Sequence, residues 1–505
     1  MNLRTLLLSC TVGASLCGLV ACKDSPTDPA LAVVESGTLR GSVLGDGTRE
    51  FLGVPYAAPP TGERRWRAPQ APLPWTGERA ATARGASCPQ PSPPGSDTLA
   101  GDEDCLFLNV WAPSGVSKAP VMLWLHGGGY FVGGGGDPDY DGRLFAKATG
   151  TIVVTINYRL GPLGFFASPA LDAEDKAHPT SGNYALEDQR AALEWVQRNI
   201  AAFGGDPKTV TLFGESAGAN STCLHLASAR SKGLFARAIL ESGTCSVGPK
   251  DEVVATSAKL AETLGCTDLA CLRGKSFAEI LQAGSNGGFY PSIDGWNLTE
   301  DPYVTLKTSK LANDVPVLMG ANHDEAGFDF GMGFLPAVTD ATSYAELMNG
   351  IFQDKGAAVL AQYPASSYAD AQQAAIAALT DVWYFCPQRG LAQSFAKLGS
   401  KVYFYSFDRA PSSPLFPGAG AFHSSEVPFV FGTSSWGIVL DAQEQGLSTS
   451  MMGYWSRMAE AADPNGDGAV AWPLFDAQEA HLVLDLQIKS ATGLRGGKCA
   501  FWETL

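Results

Sequence analysis

The chain has 505 residues, 45% of them hydrophobic and 17% charged, which is ample for a large core. Its formal net charge is −16 and it has no Lys/Arg-rich run to meet phosphates, so nucleic acid is excluded as a partner. No internal repeat and no long linker follow residue 36, so one large domain carrying insertions is the expected organisation.

The N-terminus has the pattern of an export signal. Arg4 is the only charge before a run of small and apolar residues from Thr5 to Cys22, shorter than the ~20 residues that span a bilayer comfortably. Leu19, Val20, Ala21 and Cys22 are similar to a bacterial lipobox, in which the cysteine is lipidated and becomes the mature N-terminus. Residues 1–21 are therefore expected to be a lipoprotein-type signal peptide, with an ordinary signal peptide cleaved nearby as the alternative. Residues 22–35, polar and Pro-containing from Lys23 to Pro29, are expected to be a disordered tether, and 36–505 the folded domain. This implies export from a bacterial cytoplasm, followed by lipid anchoring at the cell envelope or secretion, with membrane contact only through Cys22.

Eleven cysteines fit export. Cys10, Cys17 and Cys22 belong to the leader, leaving eight. No C-x-x-C and no Cys/His cluster of zinc spacing occurs, so disulfides are the better reading and no metal is expected. Spacing alone does not give the pairing. Asp463 to Gly468 begins like an EF-hand, but position twelve is Leu474 rather than a bidentate Glu, so a plain turn is expected.

From residue 36 the first segments, Gly37–Gly41 and Phe51–Ala57, have the pattern of an antiparallel edge, and a Pro-rich loop runs from Cys88 to Cys105. Apolar runs then recur at Val121–Leu125, Thr151–Ile156, Val210–Phe213, Ala238–Leu240 and Val315–Met319, with a sixth at Lys401–Phe407. Continuous rather than alternating runs indicate strands covered on both faces, as in a mostly parallel sheet. Between them, Leu193, Val196 and Ile200 share a stripe that predicts a helix over Glu187–Ile200. The fold class is α/β, with helices on both sides of the sheet.

The chemistry centres on residues 203–220. Val210–Phe213 is a short buried strand, Gly214-Glu215-Ser216-Ala217-Gly218 is a G-x-S-x-G turn, and a helix-compatible run follows to Ala229. With 57 glycines in the chain a bare G-x-S-x-G is weak; strand, sharp turn and helix together form the context of a nucleophile elbow. Ser216 then stands on a strained turn, and side chains at 214 and 218 would collide with the crossing strand and helix. Directly after Val121–Leu125, His126-Gly127-Gly128-Gly129 resembles the loop whose backbone N–H groups complete an oxyanion hole, while Gly133–Gly136 nearby has the look of plain flexible loop.

A base and an orienting acid should follow in the order Ser, Asp/Glu, His. His225 lies on the helix behind the elbow and is expected to pack there. His481, in an amphipathic C-terminal segment, is expected to be structural. His423, in a loop beyond the Lys401–Phe407 strand, is the candidate base. After the Val315–Met319 strand stand His323, Asp324 and Glu325. His323 is expected to be a bystander, and position alone leaves Asp324 and Glu325 open as the acid.

These segments together resemble the type-B carboxylesterase/lipase family, the cholinesterase-like branch of the α/β-hydrolases, from about residue 36 to the C-terminus. The stretches that carry it are Phe203–Gly218, Glu103–Trp111, Asn157–Gly161 and Asp188–Val196. The resemblance implies an α/β-hydrolase fold, with a large mostly parallel central sheet flanked by helices and long insertions at the carboxyl-end face. It implies Ser216 as nucleophile, Glu325 as acid and His423 as base, with oxyanion-hole N–H groups from Gly128, Gly129 and Ala217. Glu215, beside the nucleophile, looks like the acid with which the family supports its triad without using it in the triad. Ala326 stands where the family has Gly. The implied disulfides are Cys88–Cys105, Cys266–Cys271 and Cys386–Cys499, with Cys223 and Cys245 free or buried.

The expected function is serine-dependent hydrolysis of carboxylic esters through an acyl-enzyme, without cofactor, on a small-molecule ester. The alternatives are amide, thioester or lactone bonds under the same triad, or a non-catalytic binding module on the same fold. Because the base must be neutral, activity should fall below about pH 6.5, shifted by environment. No aromatic residue lies between Cys88 and Cys105, where cholinesterases carry a Trp for quaternary ammonium, so a choline-ester enzyme is not expected. Trp66 and Trp75 are expected in the core, and Phe289, Tyr290, Phe328 and Phe330 are candidate pocket walls.

Overall fold

The computed structural model describes residues 28–285 and 287–505. The signal peptide, Cys22 and the first residues of the tether lie outside the described residues. Eleven strands form the central sheet: β1 (Ser42–Val43), β2 (Arg49–Pro55), β3 (Phe107–Ala112), β4 (Ala119–Leu125), β5 (Ile152–Ile156), β6 (Gly205–Glu215), β7 (Arg237–Glu241), β8 (Val317–Asn322), β9 (Val402–Phe407), β10 (His481–Leu484) and β11 (Lys489–Ala491). Their spatial order is β11-β10-β9-β8-β7-β6-β4-β5-β3-β2-β1. The seven strands from β10 to β5 are mutually parallel, while β3, β2 and β1 on one edge and β11 on the other are each paired antiparallel to their neighbours.

All six apolar runs become parallel strands. They are buried on both faces because alternate side chains enter two different cores. Leu123, Leu125, Val154, Leu212 and Leu240 pack with Leu193 and Val196 of α1 (Tyr184–Asn199). Met122, Trp124, Val153, Phe213 and Ile239 pack on the opposite face, where α2 (Ala217–Ala227) is absent and α3 (Ala442–Ala461) supplies Met451, Trp455 and Met458. Among the described residues no helix is long and apolar enough to cross a membrane.

Three boundaries differ from expectation. Leu31–Val34 pairs with Gly37–Arg40, Ala32 and Val34 are buried, and so the folded part begins before residue 36. Gly37–Arg40 joins Leu31–Val34 and Glu78–Ala80 in a separate three-stranded sheet, leaving β2 and β1 to form the antiparallel edge of the large one. The strand expected from Val315 starts at Val317, just after Pro316, which has no N–H to give to a ladder.

The segments that carry the resemblance are tied to one another. Arg159 and Asp188 form a fully buried bidentate pair, at 2.8 Å from Nε and 2.7 Å from the guanidinium terminus. Asn157 donates to the carbonyls of Ala86 and Cys105 and accepts from Gly135 N. That contact corrects the flexible-loop reading of Gly133–Gly136: a Cβ at Gly135 would lie 2.5 Å from the Ile156 backbone, so this turn is packed onto β5.

Cys88–Cys105, Cys266–Cys271 and Cys386–Cys499 are bonded, with Cα separations of 5.0, 5.4 and 5.2 Å. Cys223 and Cys245, expected to be free or buried, are also bonded to each other. The reason is spatial. Cys223 on α2 faces the loop that leaves β7, and this brings the two Cα atoms to 5.2 Å with both side chains inside the core.

Candidate active site

The sheet order reverses at β4, whose neighbours are β5 and β6, and clefts at the carboxyl ends of such strands are where α/β sheets bind ligands. Ser216 sits there, between β6 and α2, at φ 54° and ψ −121°, a backbone conformation that costs a β-carbon residue on the order of 1–3 kcal/mol. The turn is held by Ser216 N donating to Glu241 O at 2.9 Å and by Asn220 N donating to Ser216 O at 2.9 Å. The expected collisions are present. A Cβ at Gly214 would lie 2.6 Å from Gly218 C and from Leu125 O, and one at Gly218 would run into Leu125 O.

The loop after β4 carries Gly128 at φ 102° and Gly129 at φ 60°. Among the described residues the amides of Gly128, Gly129 and Ala217 donate to no protein acceptor, and Ala217 opens α2, where free N–H groups and the helix dipole favour negative charge. His126 itself is a structural residue. Its ring stacks on Tyr158 at 4.2 Å, its Nδ1 lies 2.8 Å from Gly127 O, and burial pulls its pKa down to about 4, so it stays neutral.

His423 Nδ1 lies 2.7 Å from Glu325 Oε2, and its backbone N–H donates to Glu325 O at 3.1 Å. Glu325 is buried, and its second oxygen accepts from Asn322 N at 2.8 Å, so the carboxylate is fixed on both sides. Asp324 turns away, accepting from Ala421 N at 3.0 Å and pairing with the exposed His323 at 2.8 Å. The geometry therefore joins Glu325 rather than Asp324 to the histidine. Ala326 sits at φ −66° with its N–H on Thr380 Oγ1, a position that does not require glycine.

The other imidazole nitrogen has an unexpected neighbour. Glu215, expected as a supporting acid beside the nucleophile, places Oε1 3.1 Å from His423 Nε2 and accepts from Ser424 Oγ at 2.7 Å. Among the described residues neither imidazole nitrogen is hydrogen-bonded to Ser216 Oγ: Nδ1 meets Glu325 and Nε2 meets Glu215. Burial disfavours the imidazolium, but Glu215 and Glu325 outweigh it, and His423 is pushed up to about 10. Burial raises Glu215, and raises Glu426 to about 8. Glu426 accepts from Ser242 Oγ and Asn322 Nδ2, and Glu241 beyond it is driven well above the carboxylate range by burial. The sequence reading missed Ser424 and Glu426. Their one signal is that both lie within three residues of His423.

Phe328 and Tyr384 wall the histidine, with ring centroids at 5.8 and 4.9 Å, and Phe416 and Trp436 back Phe328. Of the other candidate wall residues, Phe289 is in the core, Phe330 packs into a helical cluster, and Tyr290 donates to Glu252 and lines a cavity beside Tyr130 and Asn220. Trp66 is buried and Trp75 is partly so. His225 is buried between Ser231 and Gln189, and burial holds its pKa down to about 3. His481 opens β10. In the Asp463–Gly468 stretch Asn465 Oδ1 caps Trp472 N, as a turn residue does.

A sequence profile of the carboxylesterase family matches residues 28–502. The chain is 34% identical to the acylcarnitine hydrolase of Mus musculus, over 95% of this chain and 92% of that protein. It is 35% identical to the para-nitrobenzyl esterase of Bacillus subtilis (strain 168), over 91% and 95%. It is also 35% identical to the cholinesterase of Mus musculus, over 95% and 87%. The fold and site define an α/β-hydrolase. The chain belongs to the carboxylesterase family and is a carboxylic ester hydrolase.

Proposed function

We propose that Ser216, His423 and Glu325 form the catalytic triad of an esterase that works through an acyl-enzyme. The observation that carries this reading is the strained φ of Ser216 at the end of β6, beside a Glu325-oriented histidine and a loop of glycine amides. His423 Nε2, when neutral, takes the Ser216 proton as the hydroxyl oxygen attacks the ester carbonyl. Glu325 holds the imidazole by Nδ1 and stabilises the cation that forms. The carbonyl oxygen becomes an oxyanion facing the N–H groups of Gly128, Gly129 and Ala217. Loss of one such donor costs on the order of 10²–10³ in rate. Collapse of the intermediate breaks the ester C–O bond, and the imidazolium protonates the leaving alcohol. Water, deprotonated by His423, then splits the acyl-enzyme and restores Ser216. In the resting enzyme Nε2 faces Glu215, so substrate entry has to hand it to Ser216; such contacts commonly tighten only in the substrate complex.

The substrate is a small ester, with Phe328 and Tyr384 as walls beside the base. The same acyl-transfer geometry serves amide, thioester or lactone bonds, and a panel of these decides between them. The test is hydrolysis of p-nitrophenyl acetate, butyrate and octanoate by the wild type and Ser216→Ala, with intact-mass detection of a fluorophosphonate adduct on Ser216. Turnover and adduct that vanish together in the variant support the reading; turnover that survives in Ser216→Ala refutes it. Export with a lipid anchor at Cys22 is our reading of the leader, and Cys22→Ala releasing the enzyme from the membrane fraction tests it.

A further inference from the structure

Of the two glycines proposed as oxyanion donors, Gly128 is held by its own turn, its carbonyl accepting from Phe131 N at 3.0 Å and Val132 N at 3.1 Å, whereas Gly129 has little beside it. At Gly129 an added Cβ would meet only Phe131 Cδ2, at 3.9 Å, so there is open room beside that residue. The next residue, Tyr130, is buried and sits at φ 67°, a region that aromatic residues avoid unless the surroundings enforce it. The surroundings that enforce it are specific. The Tyr130 hydroxyl accepts from Asn220 Nδ2 at 2.9 Å and from Ser221 Oγ at 3.1 Å, and its carbonyl accepts from Gly161 N at 2.8 Å. Asn220 lies one turn beyond Ser216 on α2 and also holds the loop after β7. Its Oδ1 accepts from Ser246 N at 2.6 Å and its Nδ2 donates to Ser246 O at 2.9 Å. That loop is itself bonded back to α2 through Cys245 and Cys223. One side-chain amide thus ties the oxyanion loop, the nucleophile helix and the β7 loop together.

We propose that Asn220 and the Tyr130 hydroxyl are positioning residues for the oxyanion hole, setting where the Gly128 and Gly129 amides sit relative to Ser216. The proposal rests on the triad and oxyanion roles assigned above. A cavity of about 280 Å³ lies against the clamp, walled by Tyr130, Asn220, Val247 and Tyr290, so a loop released from Asn220 has space to move into. Because the oxyanion donors act only on the tetrahedral species, losing the clamp weakens transition-state binding and leaves binding of the intact ester unchanged.

The test compares the full enzyme with Tyr130→Phe, Asn220→Ala and the double variant. Tyr130→Phe keeps the ring in the core and removes only the acceptor, so it carries the test if Asn220→Ala folds poorly. Each single variant is expected to lose about 10–100-fold in kcat with KM within about twofold, the scale of a misplacement of about 1 Å at a reacting centre. Affinity for a trifluoromethyl ketone, which must form an oxyanion adduct, should fall by the same factor, while an unreactive ketone or ether isostere binds as before. The double variant should be no worse than the weaker single one, because both break one clamp. An unchanged kcat overturns the proposal, as does a rise in KM that the ketone affinity merely follows. Failure of the hydrolase reading is distinguishable, since it appears as an inactive wild type, whereas failure of the clamp needs an active one.

Discussion

The charge facing His423 Nε2 makes a direct prediction about pH. Glu215 Oε1 stands 3.1 Å from that nitrogen. At this separation and an effective dielectric of about 20, a full carboxylate opposite an imidazolium is worth about 5 kcal/mol, each 1.36 kcal/mol of which moves a pKa by about one. The realised effect is smaller for two reasons. Burial raises Glu215 and Glu426, so the three groups share protons, and Glu325 remains on the other side of the ring. Glu215→Gln keeps an acceptor for Ser424 Oγ and removes the charge. The sign follows from the role of the base. As the proposed base His423 must be neutral to act, its pKa is raised, and so activity should be lost as pH falls through a value above the ordinary 6.5. Without the Glu215 charge that value drops, and the acid limb of kcat/KM should move down by about 1–2 pH units. The assay is the kcat/KM–pH profile of wild type and Glu215→Gln on one p-nitrophenyl ester in constant-ionic-strength buffers. A limb that stays put, or moves up, refutes the claim that Glu215 sets the protonation of the base.

Three further outcomes follow from the fold. Asp188→Ala leaves the Arg159 guanidinium buried and unpaired, so it should cost about 3–5 kcal/mol in chemical denaturation; a loss under 1 kcal/mol would contradict the buried pair. The chain beyond Cys22 should give no reactive thiol in denaturant without reductant, and two reactive thiols per chain would mean that Cys223 and Cys245 are unbonded. Gly218→Ala puts a methyl group into the Leu125 carbonyl and should leave too little formed elbow to titrate with a fluorophosphonate; full labelling would show that the turn tolerates the side chain.

What was legible in the sequence is what local physics dictates. A strand buried on both faces has to be apolar throughout, so all six runs stood out and all six became parallel strands. A tight strand-to-helix crossing forbids a Cβ, so Gly214 and Gly218 announced the turn around Ser216 before any coordinates. The misses have equally physical causes. Proline displaced the start of β8, because hydropathy does not register a missing N–H. The Cys223–Cys245 bond depends on where the chain lands after β7, which no spacing rule encodes. Tyr130 adopts a left-handed conformation at a position where sequence reasoning would ask for glycine, since the requirement is met by partners ninety residues away on α2. The same holds for the base. Sequence brought forward His423, and the resemblance chose Glu325 over Asp324. Which carboxylate meets which imidazole nitrogen is decided by how the loops after β6, β8 and β9 converge. Glu215 reaches Nε2 only because the elbow that presents Ser216 to the cleft turns the preceding side chain back beneath Gly127, where a Cβ would lie 2.5 Å from its Oε2. The glycine at 127 is therefore tied to the protonation of the proposed base as well as to the shape of the proposed oxyanion loop: a side chain there would displace the Glu215 carboxylate that faces His423 Nε2.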